Sequence, residues 1–357
     1  MTSSWGDQLK ISLFGESHGA AIGAVIDGLP AGIPIDPELI KLEMSRRSAR
    51  GKALATPRKE PDEVEIVSGY FNGKTTGTPL AGLIRNHNTH SGDYSRTRTK
   101  MRPGHADYTG WLRYKGYQDY RGGGHFSGRL TAPMVFAGAV AKQVLMHQMP
   151  SLYIGSRIVS IGQVSDHKHV APEQYDRMKA LNPMFPVLTE SIKDEMEKQV
   201  ETARDEQDSV GGIIEGVITG MPGGWGNPIF ESVESRLSAL LFAIPAVKGV
   251  EFGSGFDIAT MRGSEANDPF FIEGGQVRTR TNCNGGINGG ITNGMPVVFR
   301  VAFKPTPSIA RKQHTIDMEK QENTTIAIEG RHDPCIVLRA APVVEAVTAL
   351  CILDLSL

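Results

Sequence analysis

The sequence predicts an α+β chain folded as one domain (residues 1–357), and three observations carry that prediction. Helical and strand-like segments are mixed along the whole chain without a regular strand, helix, strand alternation, which sets aside a doubly wound sheet or a barrel. The segment from about Thr131 to Met146 places Met134, Val135, Phe136, Val140, Val144 and Leu145 almost all round a helix, the pattern of a helix buried on every side. No low-complexity linker, internal repeat or composition shift divides the 357 residues.

The elements follow in order. Ala21 to Ile26 reads as a strand. Asp36 is placed as the N-cap of the first helix, before Pro37 and Glu38, with Ile35 and Ile40 as a hydrophobic staple, and the helix runs to about Ser45. Val64 to Ser68 is a second strand. After the apolar helix, a surface helix capped by Thr189 carries Ile192, Met196 and Val200 at a spacing of four against Lys193, Asp194, Glu197 and Lys198. Gly212 to Thr219 and Val297 to Phe303 read as strands. Helical patterns span Pro228 to Phe242, through Val233, Leu237, Leu240 and Leu241, and Pro342 onward, through Val344, Val347, Leu350 and Cys351.

Composition narrows the function classes. Apolar residues are 39% and charged residues 22%, as in a folded globular protein. The apolar stretches Ala132 to Ala141 and Ala239 to Val247 fall short of the ~20 residues a membrane span needs. The N-terminus lacks a basic start, an apolar run and a small-residue cleavage site, so a cytoplasmic enzyme is expected. Three cysteines, Cys283, Cys335 and Cys351, form no CxxC pair, so buried thiols are expected rather than disulfides or zinc, and no metal site is read. A net charge of -1 gives no general attraction to nucleic acid, although arginine and lysine are unevenly spread. The 41 glycines gather at Arg121 to Gly128, Gly220 to Gly226 and Asn282 to Gly294, which predicts much ordered loop.

The chemistry lies between the elements. Phe14-Gly15-Glu16-Ser17-His18-Gly19 sets an imidazole between glycines that allow close backbone approach. His18 is either a proton-transfer group or a packed histidine at a turn. On an extended chain Ser17 and His18 point to opposite sides, which speaks against a nucleophile and its base. Arg102-Pro103-Gly104-His105-Ala106-Asp107-Tyr108 is followed by Asp119-Tyr120-Arg121-Gly122-Gly123-Gly124-His125-Phe126-Ser127-Gly128-Arg129. Consecutive glycines expose backbone N–H groups, and Ser127 and Arg129 stand before the apolar helix, whose N-terminus favours an anion. No Walker A loop and no GxGxxG opening a helix occur, so a nucleoside triphosphate is not implied. Six cations, Arg46, Arg47, Arg50, Lys52, Arg58 and Lys59, lie within fourteen residues without interleaved aromatics, which suits a compact anion better than a nucleic acid. Lys304-Pro305-Thr306-Pro307-Ser308 and Gly330-Arg331-His332-Asp333-Pro334-Cys335 add a cation with hydroxyls and a possible relay at Asp333.

In this order, FGESHG, RPGHADYT, DYRGGG, AVKGVEFG at Ala246 to Gly253, GGINGGI at Gly285 to Ile291, KPTPSI and GRHDPC closely resemble the chorismate synthase family over nearly the whole chain. The resemblance implies a three-layer β-α-β sandwich with long central helices between antiparallel sheets, assembled as a homotetramer. It implies elimination of phosphate from 5-enolpyruvylshikimate 3-phosphate to give chorismate, with reduced FMN required and no net oxidation. NADPH enters only indirectly, and an external flavin reductant is expected. On this basis His18, His105, Asp333 and Ser17 are catalytic. Phe126, Ser127, Gly128, Gly289, Lys304, Pro305, Thr306, Pro307, Ser308 and Arg331 bind flavin. Arg47, Arg129 and Arg339 bind the substrate's anions. The chain departs from the family's usual pattern at His125-Phe126-Ser127-Gly128, where many members have Arg-Ser-Ser-Ala, and at Ala53, where a second arginine is common. A phosphate-ester hydrolase would need a metal cluster that the sequence lacks. An anion or RNA binder would leave the histidines without a role.

Overall fold

The structure, a computed structural model, describes residues 3–48, 62–86, 98–167, 170, 172–328 and 333–357. Its helices in chain order are α1 Pro37–Arg47, α2 Asp107–Tyr114, α3 Thr131–Gln148, α4 Glu190–Asp205, α5 Val233–Ala243, the single turn α6 Gly263–Ala266, and α7 Val337–Ser356. Two five-stranded antiparallel sheets accompany them. The first has the order Ser4–Trp5, Lys10–Gly15, Ala21–Asp27, Leu80–Arg85, Val64–Ser68. The second has the order Val247–Phe252, Val297–Phe303, Gly212–Thr219, Tyr153–Ile161, Val164–Ser165.

α3 packs on the first sheet, α7 packs on the second, and the two helices pack on each other, which gives the layers sheet, helices, sheet. Both helices are apolar all round because both lie between sheets: Val135, Phe136 and Val140 of α3 and Val344, Leu350 and Ile352 of α7 are fully buried. Each such side chain contributes ~1.5–3 kcal/mol on burial. Small residues set the layer spacing. A β-carbon at Gly82 would stand 2.4 Å from the Phe136 ring, and one at Gly138 would stand 2.3 Å from Ala346 Cβ. The glycines thus let Phe136 reach the first sheet and let α3 touch α7.

One polar cluster inside this core ties helices to sheet. Glu345 of α7 accepts two 2.7 Å hydrogen bonds from Arg46 of α1, one of 2.6 Å from Lys142 of α3 and one of 2.8 Å from Ser156 of the second sheet. Glu43 accepts from the same two cations at 2.9 and 2.8 Å. Asp354, near the end of α7, accepts from the backbone N–H groups of Gln8 and Leu9 at 2.8 and 2.7 Å and so ties the N-terminal strands to α7.

The first helix starts where the sequence places it: Asp36 accepts from Glu38 N at 2.9 Å, and Ile35 and Ile40 are buried. One cap and two helix starts differ. Thr189 precedes α4, but its hydroxyl donates to Asp166 at 2.8 Å and caps nothing, because that buried carboxylate already gathers the N–H groups of Leu188 and Thr189. α5 starts at Val233 rather than Pro228, since Ser232 accepts from Ser235 N at 3.0 Å and fixes the first turn there. α7 starts at Val337, with Pro342 inside it. Proline costs a helix one hydrogen bond, and here the burial of nearly the whole helix outweighs that cost. Cys335 and Cys351 are buried, and burial pushes both thiols up to about 12. Cys283 is only half-buried. Among the described residues no helix is long and apolar enough to cross a membrane, and no group of His, Cys, Asp or Glu is arranged to hold a metal ion.

Candidate active site

A cleft of about 630 Å³ opens where the end of α1, the start of α3, the start of α7 and the Lys304–Ser308 segment meet. Phe242, Ile244, Val247, Ile336 and Val343 give it an apolar lining, Arg47, Arg129, Arg339 and Lys304 give it a cationic one, and His105 adds an imidazole.

The glycine run explains why the histidines come together. Gly122, Gly123 and Gly124 have φ of +61°, +100° and +53°, backbone conformations that a side chain would strain. A β-carbon at Gly122 would lie 2.1 Å from His18 Cε1, and one at Gly123 would lie 3.1 Å from His105 Nε2. Successive glycines therefore carry the two imidazoles, and Ser17 N donates to Gly124 O at 3.1 Å to anchor the FGESHG turn on the run. His125 acts as a brace. Its Nδ1 donates to Gly15 O at 2.9 Å, which leaves Nε2 to accept from the Ser3 hydroxyl at 3.0 Å. Phe126 turns toward α2, where it meets Tyr114 at 6.0 Å between ring centres and fills the space over Gly110.

Residues 16–19 turn rather than extend, since Gly19 N donates to Glu16 O at 3.0 Å. The expectation that Ser17 and His18 point apart is therefore wrong: Ser17 Oγ lies 3.1 Å from His18 Nδ1. The serine hydroxyl donates to Arg121 O at 3.2 Å, so its oxygen receives the imidazole N–H, and no base is aimed at its proton. His105 is oriented from the other side. Two contacts compete for Nδ1, Asp107 Oδ1 at 2.7 Å and the Arg102 guanidinium at 3.2 Å. The shorter contact to a carboxylate decides that Nδ1–H donates to Asp107, which leaves Nε2 toward Gly123. Burial alone would raise the Asp107 carboxyl, but hydrogen bonds from Arg102 and His105 outweigh it and hold the group below the ordinary carboxylate range.

The three arginines read as anion ligands do converge. Arg47 donates to Thr131 Oγ1, on the first residue of α3, at 2.9 Å and to Asp62 at 2.5 Å. Arg129 donates to the other oxygen of Asp62 and, at 3.2 Å, to Asn86. Arg339 donates to the Arg47 carbonyl at 3.0 Å and to Asp333 at 2.5 Å. Lys304 reaches the Gly104 carbonyl, which joins the KPTPSI segment to the RPGHAD turn.

Of the remaining expected residues, Ser127, Gly128, Thr306, Pro307, Ser308 and Asp333 line the cleft. Pro305 does not, and Gly289 sits in the tight turn between the strands Ile287–Asn288 and Ile291–Thr292. His18 and Ser17 stand behind Gly122 rather than on the cleft wall. Arg331, Ala53, Arg50, Lys52, Arg58 and Lys59 lie outside the described residues. Arg46 leaves the basic cluster for the core, because consecutive residues on a helix diverge by about 100°. Sequence reasoning missed Asp62, one of several acidic residues (Glu60, Asp62, Glu63, Glu65) that follow the basic run, and the apolar lining from Phe242 to Val247. The AVKGVEFG motif overlaps that lining and was the available signal.

Comparison with known proteins bears on this geometry. The family model for chorismate synthase matches residues 9–357. The chain belongs to the chorismate synthase family. It is 46% identical over 363 residues to the chorismate synthase of Dehalococcoides mccartyi, covering 100% of this chain and 97% of the relative. It is 48% identical over 349 residues to that of Thermococcus kodakarensis, covering 98% and 96%. A crystal structure of chorismate synthase superposes with a TM-score of 0.73 at 30% identity, covering 98% of this chain and 92% of that one. Membership in this family makes the chain a lyase, and the family implies a flavin cofactor.

Proposed function

We propose that this chain converts 5-enolpyruvylshikimate 3-phosphate to chorismate by anti 1,4-elimination, with reduced FMN required and no net oxidation. The C–O bond to phosphate breaks, a ring C–H bond gives up its proton, and a new double bond forms. The observation that carries this reading is the convergence of Arg47, Arg129 and Arg339 at the start of α3, in the cleft that His105 and Lys304 also line.

The residues fit a flavin. The cleft has the size of a cofactor site, ~300–1,000 Å³, with apolar side chains for a ring system and hydroxyls of Ser127, Thr306 and Ser308 with Lys304 for a phosphate tail. A β-carbon at Gly128 would meet nothing within 4 Å, so backbone is accessible there. Phe126, Ser127, Gly128 and Lys304 through Ser308, with Gly289 and Arg331, are the residues we assign to it. When bound, the reduced flavin supplies electron density that eases loss of phosphate.

In this reading Arg47, Arg129 and Arg339 hold the substrate's phosphate and carboxylates, since planar guanidinium forks match those groups. His105, its tautomer fixed by Asp107, presents Nε2 at the flavin end and favours the reduced, charged cofactor. His18, its Nδ1–H held by Ser17, protonates the departing phosphate. Ser17 and Asp333 would relay a proton from flavin N5.

We further propose one catalytic domain, a cytoplasmic location and an external flavin reductant that draws on NADPH. A homotetramer is the assembly we favour, because Phe230, Phe256 and Ile272 are more than three-quarters exposed and suit an interface. The test is anaerobic mixing of the protein with 5-enolpyruvylshikimate 3-phosphate and chemically reduced FMN. Appearance of chorismate absorbance is expected, and none beside an active control contradicts the reading.

A further inference from the structure

The arginine cluster at the start of α3 already holds an anion of the protein's own. Asp62 presents one carboxylate oxygen to Arg47 at 2.5 Å and the other to Arg129, and its side chain is almost wholly buried between them. Asp62 also lines the cleft. The carboxylate therefore stands where the positive end of an 18-residue helix and two guanidinium forks together favour negative charge. Burial alone would raise this carboxyl, yet the charges of Arg47 and Arg129 hold it ionised. Its φ of +49° is a conformation residues other than glycine seldom adopt, although aspartate tolerates it better than most.

The arrangement is incomplete in one respect. Among the described residues Arg47 Nε is buried without a hydrogen-bond partner, because Asp62 takes only Nη2 and Thr131 takes Nη1. A single carboxylate spread over two arginines leaves that Nε unpaired. A phosphate, with oxygens in three dimensions, can satisfy more of both.

We propose that Asp62 is an internal competitor for the phosphate site, occupying the Arg47 and Arg129 forks in the empty enzyme and yielding them when phosphate arrives. This rests on reading the cleft as a phosphate site. Two consequences follow from the charge. Free phosphate binds weakly because it must displace a carboxylate held by two cations, whereas a substrate anchored elsewhere in the cleft displaces it at lower cost. After reaction the same carboxylate reclaims the arginines and expels the product phosphate.

A brace and a competitor predict opposite signs. If Asp62 only orients the arginines, its removal weakens anion binding; if it competes, its removal strengthens it. Calorimetric titration of inorganic phosphate into the full chain and into Asp62→Asn is expected to show about tenfold or more tighter binding in the variant, the scale of a charged hydrogen bond lost to the competitor. Asp62→Ser, which also vacates space, is expected to match it. Binding that is equal or weaker in the variants overturns the inference and leaves the phosphate site intact. No binding to any of the three proteins overturns both. Because two buried arginines lose their counter-charge, melting curves are recorded as well. A variant less stable than the parent in phosphate-free buffer must gain more in melting temperature on adding phosphate than the parent does, and an equal or smaller gain also overturns the inference.

Discussion

Arg46 and Arg47 are neighbours on α1, yet they enter two ion clusters of different character. Arg46 joins Lys142, Glu43 and Glu345, two cations against two anions, sealed between helices and sheet. Among the described residues Arg47 joins Arg129, Arg339, Asp62 and Asp333, three cations against two anions, on the wall of a cleft. A balanced cluster in a closed place fixes geometry. A cluster with surplus positive charge in an open place can take up a ligand anion. Charge balance and access, more than residue type, separate a structural arginine from a binding one.

The sharpest way to break this comparison is to truncate the sealed cluster. Glu345→Ala takes from the buried Arg46 and Lys142 one of the two carboxylates they share and is expected to lower unfolding free energy by ~3–5 kcal/mol, measured by urea denaturation. The activity of the molecules that remain folded should stay within about threefold, because Glu345 touches nothing in the cleft. A large loss of specific activity with intact stability would erase the distinction.

Arg47→Met tests the open cluster. The expected loss is about ten- to hundredfold in kcat/KM, the scale of charged hydrogen bonds, with a smaller stability change than Glu345→Ala. His18→Ala and His105→Ala are expected to lower turnover by roughly ten- to a thousandfold, the usual range for acid–base groups, while circular dichroism stays as in the parent. His18 stands behind Gly122, so a rate near the parent's in His18→Ala alone would make it a support for the glycine run instead.

Acid separates the clusters further. Burial alone would raise the Glu345 carboxyl, but Lys142 and Arg46 bring it down to about 2, against 4.5 for the ordinary side chain. Its stabilisation is therefore complete above pH 4.5 and is lost as pH falls toward 2. Denaturation midpoints of the parent and Glu345→Gln should converge over that interval, and a constant gap would contradict the pairing. The smallest expected effect is that of Gly138→Ala, where a methyl forced against Ala346 costs ~1–3 kcal/mol by overpacking. Melting temperature reads it, and an unchanged value would mean that α3 and α7 can part.

Parts of this architecture were legible in the sequence because local chemistry decides them. Asp36, Pro37 and the Ile35–Ile40 staple fix the start of α1 regardless of the fold, and the four segments read as strands, several from alternation, all lie in the two main sheets. Where tertiary contacts override local preference the reading slipped. Pro342 looks like a helix start until the burial of α7 is known, and Thr189 looks like a cap until Asp166 claims its hydroxyl. The site was legible as motifs, since glycines, histidines and arginines cluster in short segments. Its internal logic was not. Nothing in the run Arg46-Arg47 tells which guanidinium turns inward, and Asp62 acquires meaning only when the fold sets Arg129 beside Arg47, 82 positions away in the chain.

The most direct test of the account is a balance sheet of one anaerobic reaction run for many turnovers with substoichiometric reduced FMN. Chorismate and inorganic phosphate should appear in equal amounts, each far exceeding the flavin, whose absorbance at the end is that of the reduced form. Flavin oxidised in step with product, or phosphate released without chorismate, would contradict an elimination carried out between the arginine cluster and the histidines on the glycine run.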